Sequence, residues 1–97
     1  MKIAIGTAQF GFNYGIANTN GKVEKLEAQD ILEYAFKYGV DTIDTAIAYG
    51  TSERCLGEIG VDGSKIVTKL PEVPSDYGSL KKWIENHVKT SLENLRI

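Results

Sequence analysis

The sequence predicts an α/β fold in which short parallel strands alternate with helices. Two observations carry this reading. Apolar runs of strand length recur at 3–7, 40–44 and 64–70, and helix-patterned stretches at 26–38, 52–59 and 80–94 follow them in turn. No strand is followed directly by another, so no hairpin reversal breaks the alternation. Strict alternation of this kind fits a barrel at least as well as a doubly wound sheet.

The elements are justified in order along the chain. The run 3–7 ends on Gly6-Thr7 and reads as the first strand. A Gly-rich stretch from 9 to 22 holds Gly11, Gly15 and Gly21 together with Phe10, Phe12 and Tyr14. It reads as a loop with an aromatic cluster, its glycines as turn residues and not as a dinucleotide fingerprint. In 26–38, Ala28, Ile31, Leu32, Ala35 and Phe36 recur at three-to-four spacing with charged residues between them, the mark of an amphipathic helix. Gly39 is placed to end it in a left-handed conformation. Residues 40–44 form the second strand, and Thr51 or Ser52 can cap a short helix that Gly60 stops. The third strand, 64–70, centres on Ile66-Val67-Thr68, and Pro71 and Pro74 break the chain after it. In the last helix Leu80, Trp83, Ile84, Val88 and Leu92 share a face.

Ninety-seven residues make one domain, taken as 1–97. With 42% hydrophobic and 25% charged residues, the composition is that of a globular protein. A net charge of −2 gives no footprint for nucleic acid or a membrane surface. No apolar run nears the roughly 20 residues of a membrane span, and the opening Met1-Lys2-Ile3-Ala4-Ile5-Gly6 is too quickly polar for an export signal. The expected location is the cytoplasm. Cys55 is the only cysteine, which excludes an internal disulfide, and it reads as a small apolar residue.

The chemistry gathers in Asp44-Thr45-Ala46-Ile47-Ala48-Tyr49-Gly50-Thr51-Ser52-Glu53 and in Lys69. Residues two apart on a strand share a face. If the second and third strands are adjacent and parallel, Asp44 and Lys69 point inward at the same C-terminal end, where α/β barrels carry their active sites. Tyr49 lies in the loop just past the second strand, at the same rim. A free phenol titrates near pH 10. A neighbouring ammonium stabilises the phenolate, and Asp44 would hold that ammonium in place. Tyr49 could then protonate a carbonyl oxygen as hydride reaches the carbon.

Gly6-Thr7-Ala8-Gln9-Phe10-Gly11, the Asp44-Thr45-Ala46…Tyr49-Gly50…Ser52-Glu53…Leu56-Gly57 block, Lys69 and Ser91-Leu92-Glu93-Asn94-Leu95 together resemble the N-terminal third of an aldo-keto reductase. The resemblance covers essentially the whole chain. It implies a partial (β/α)8 TIM barrel of about three β/α units, NADPH or NADH as hydride donor, and an aldehyde or ketone substrate, with a sugar-related one suggested by the opening segment. It assigns Tyr49 as proton donor, Lys69 as the lysine that acidifies it and Asp44 as the partner of that lysine. Gly6, Thr7, Ala8 and Asp44 would border the nicotinamide, while Phe10, Phe12 and Tyr14 would lie near the substrate mouth. The resemblance calls for no metal.

Other residues have plainer readings. Glu53 favours the first turn of its helix, Lys65 sits at the far end of its strand, and His87 and Trp83 pack the last helix. His87 is not the family's active-site histidine, which belongs to a fourth strand. The segment 92–97 has no glycine stop or polar tail, which leads us to expect an incomplete barrel, inactive by itself. The alternative is a free-standing, non-catalytic structural or binding module. Either way, three parallel strands leave open edges, and self-association is expected.

Overall fold

The computed structural model describes residues 2–11 and 23–97. Three strands, β1 (Ile5–Gly6), β2 (Thr42–Asp44) and β3 (Lys65–Val67), form one sheet in the order β1-β2-β3. Both pairings are parallel, with Gly6 opposite Asp44 and Asp44 opposite Val67. The strands are shorter than the apolar runs that announce them. Four helices accompany them: α1 (Ala8–Gly11), α2 (Lys25–Lys37), α3 (Ser52–Ile59) and α4 (Leu80–Leu95).

The core lies on one face of the sheet. Ile43 is fully buried in one cluster with Ala28 and Leu32 of α2, Leu56 of α3 and Leu95 of α4, and Ile5 and Ile66 pack against that cluster. Burying a Leu or Ile side chain of this size contributes roughly 1.5–3 kcal/mol. The opposite face carries Gly6, Asp44 and Val67 at its strand ends, none of them buried. Cys55 packs against the core as a small apolar residue.

The stops expected from the sequence are present. Gly39 has φ +82° beyond α2, and Gly60 has φ +97° beyond α3. Ser79 caps α4 by accepting the backbone N–H of Lys82. At its other end α4 closes through Arg96 in the left-handed region (φ 58°), with the Ile97 N–H donated back to the Leu92 carbonyl.

Three expectations change. Residues 9–11 of the stretch read as loop belong to the short helix α1. Phe10 is not at a substrate mouth: it is 3% exposed and belongs to the core. Phe12, Tyr14, Gly15 and Gly21 lie outside the described residues. Finally, α4 buries Ser91 and Leu95, whereas Leu80, Val88 and Leu92 of its apolar face remain exposed. The reason is the line of approach: Gly57 of α3 sits directly against the backbone of Asn94. This seats α4 on its 91–95 edge and leaves Val88 and Leu92 facing the cleft beside Ile66 and Leu70.

Candidate active site

The site lies at the C-terminal ends of the three strands. Extended pairing continues past β2 and β3, with the Thr45 N–H donated to the Val67 carbonyl at 2.7 Å and the Ile47 N–H to the Lys69 carbonyl at 3.2 Å. This holds Lys69 two residues beyond β3, level with the chain leaving Asp44. Its Nζ pairs with Asp44 Oδ1 and donates to the Thr45 carbonyl at 2.8 Å. The same Nζ stands 5.2 Å from the centre of the Tyr49 ring. Asp44, Tyr49 and Lys69, which the sequence singles out, are thus brought together.

The Asp44 carboxylate, through its hydrogen bond, holds the Lys69 ammonium above its usual pKa of 10.5. Partial burial works against this, and attraction to Asp44 and Tyr49 adds to it. A raised lysine pKa means that the charge persists throughout neutral and mildly alkaline pH. The stability linked to the lysine's raised pKa is present below 10.5 and is lost as pH rises through the higher folded value. That contribution is small, about 0–1 kcal/mol, because both side chains are more than two-fifths exposed. The pair therefore matters for placing a positive charge, not for holding the fold.

Gly6, Thr7, Ala8 and Asp44, expected at the nicotinamide, line one open cleft of about 270 Å³ together with Gln9 and Tyr49. A Cβ built on Gly6 meets nothing within 4 Å, so the floor there is flat and free. Thr7 departs from a simple contact role. It is fully buried, and its hydroxyl is donated to the Asp44 carbonyl at 3.0 Å.

Several residues have roles that the sequence reading missed. Gly11 is not a turn residue: a Cβ there would come within 1.6 Å of the Tyr49 carbonyl oxygen, so the glycine permits α1 to back directly onto the Tyr49 turn. Ser52 does not use its side chain to cap α3; its hydroxyl meets Thr7 and Thr45 instead. Glu53 does lie in the first turn of α3, but it is 5% exposed and accepts the Thr68 hydroxyl at 2.8 Å, tying α3 to the chain after β3. The available signal was the density of hydroxyls and the two acids, Asp44 and Glu53, in the 44–53 block. His87 stacks edge-on with Trp83 at 4.4 Å on α4, as its helix-packing reading expects.

The aldo/keto reductase family model matches residues 2–97. The chain belongs to the aldo/keto reductase family. Two solved structures of an aldo-keto reductase from Pseudomonas aeruginosa are similar to it. One is 31% identical with a TM-score of 0.74, over 96% of this chain and 38% of that one. The other is 32% identical with a TM-score of 0.73, over 96% and 36%. The holo form of an aldo-keto reductase from Bacillus halodurans is 20% identical, with a TM-score of 0.69 over 98% of this chain and 32% of that one, and shows the fold alone. No curated protein matches. The chain thus spans less than two-fifths of the length of these reductases. Its three parallel strands and their helices form part of the TIM-barrel architecture, with the sheet not closed.

Proposed function

We propose that this segment supplies the proton-donating part of an NAD(P)H-dependent reductase of aldehydes or ketones, with NADPH as the first cofactor to test. The observation that carries the reading is the Lys69 ammonium, held by Asp44 and set 5.2 Å from the Tyr49 ring centre beside a glycine-floored cleft. Gly6, Thr7, Ala8 and Asp44 would border the nicotinamide, and the free space over Gly6 suits a flat ring. The bound cofactor supplies the hydride. Tyr49 donates its phenolic proton to the carbonyl oxygen, and Lys69 stabilises the phenolate left behind. Asp44 fixes the lysine and balances its charge. A sugar-related carbonyl is the first substrate class to try, and the cytoplasm, where reduced nicotinamide is kept, is the proposed location.

The test is NADPH and NADH oxidation by the purified gene product carrying this segment, with a panel of aldehydes, ketones and reducing sugars. Carbonyl-dependent oxidation is expected. If neither cofactor is oxidised with any carbonyl, the reading is wrong. Residues 1–97 expressed alone are expected to give no turnover, because among the described residues three strand ends wall the cleft; turnover by that segment would refute this part.

A second reading, assembly through the open side, is favoured by Val67, Leu70, Val88 and Leu92, which are 43–46% exposed beside the β3 edge. Residues 1–97 are accordingly expected to sediment as oligomers. A monomer at all concentrations would remove this reading.

A further inference from the structure

Tyr49 sits in no regular element, yet the proposed proton transfer needs its phenol held close to the productive geometry. Something outside the turn has to hold it. The turn's own bonds are local: the Tyr49 N–H is donated to the Ala46 carbonyl at 3.1 Å, and the Ser52 N–H to the Tyr49 carbonyl at 3.0 Å. Ser52 is where this turn is anchored to the sheet. Its Oγ lies 3.0 Å from the Thr7 carbonyl, 2.9 Å from Thr7 Oγ1 and 2.9 Å from Thr45 Oγ1. Thr7, Thr45 and Ser52 are each fully buried, so no solvent can replace these partners.

Each hydroxyl has one proton, and this sets the direction of the bonds. Thr7 donates to the Asp44 carbonyl, and Ser52 spends its one proton on Thr7, shared between the Thr7 carbonyl and Thr7 Oγ1. Ser52 has then no proton left for Thr45, so Thr45 donates to Ser52. The chain runs Thr45 to Ser52 to Thr7 to the Asp44 carbonyl, and returns to the residue beside its start. It joins the end of β1, the end of β2 and the first residue of α3. Asp44 and Tyr49, the two groups facing Lys69 from the β2 side, are thereby referred to one buried node.

We infer that Ser52 is a positioning residue for proton transfer: through the buried Thr7–Thr45–Ser52 hydroxyl chain it holds the Tyr49 turn in register with the Asp44–Lys69 pair. The inference rests on the reductase reading for its kinetic consequence, but not for its structural one.

The test compares Ser52→Ala, Thr45→Val and Thr45→Ser in the gene product carrying this segment. Thr45→Val keeps the shape and removes the hydroxyl; Thr45→Ser keeps the hydroxyl. Small misplacements of reacting groups cost up to about 100-fold in rate. Ser52→Ala and Thr45→Val are therefore expected to lower kcat by about 10- to 100-fold, with the NADPH dissociation constant unchanged, and Thr45→Ser to restore most of the loss. Amide hydrogen exchange supplies a readout free of activity. Tyr49 and Ser52 are expected to lose protection in the first two variants and keep it in the third, while core amides such as those of Leu32 and Leu56 stay protected in all. Unchanged protection at Tyr49 overturns the inference whatever the rates do. A loosened turn with an unchanged kcat overturns it as well. A wild-type protein that reduces no carbonyl defeats the reductase reading instead, and exchange alone then decides whether Ser52 holds the turn.

Discussion

Tyr49→Phe is expected to lower kcat by about 10²–10⁴-fold, the range that a positioned general acid contributes, and to leave cofactor affinity nearly unchanged. The substitution removes one oxygen and keeps the ring. The 5.2 Å approach of the Lys69 ammonium to that ring is preserved, as are the backbone bonds that shape the turn. Phenylalanine has nothing to donate, so the proton must come from water. Steady-state kinetics combined with a cofactor titration by fluorescence would measure both quantities. Equal losses in turnover and affinity would mean that Tyr49 shapes the cleft and does not act as the acid.

Gly57→Ala is expected to destabilise the fold by about 1–3 kcal/mol, the usual cost of overpacking. Helix propensity alone predicts the reverse sign, since alanine is favoured over glycine inside a helix by about 1 kcal/mol. Packing wins because an added Cβ would lie 1.9 Å from the Asn94 carbonyl oxygen and 3.1 Å from the Leu95 backbone carbon. Neither is a side chain that can rotate aside, so α3 and α4 must separate. At about 4–8 °C per kcal/mol for a domain of this size, thermal melting followed by circular dichroism would register the loss. A rise in Tm would show that the two helices do not meet at Gly57.

These two residues illustrate what the sequence made legible. The alternation of strands and helices, the parallel order and the glycine stops could be read because each rests on local pattern or on φ. The pairing of Asp44 with Lys69 could be read because strand periodicity and a parallel register bring both to one rim, and Tyr49 because it follows Asp44 in the loop at that rim. Contact glycines were less visible: Gly11 and Gly57 are small because another segment's backbone passes them, and nothing local says so. The hydroxyl chain was hidden for a similar reason. Ser52 has the composition of a helix cap, and only the fold reveals that its oxygen turns inward to Thr7. The exposed stripe of α4 also escaped periodicity, which finds an apolar face but not whether anything covers it.

The three groups of the proposed acid lie between residues 44 and 69, at the end of β2, in the loop that joins it to α3, and two residues beyond β3. Their ion pair, the Tyr49 turn and the buried hydroxyls behind it all come from this chain's own β1–α4 span. The proposed proton delivery is therefore encoded by one uninterrupted stretch of chain. A substitution outside this span that alters which carbonyl is accepted would therefore leave the proposed acid as it is.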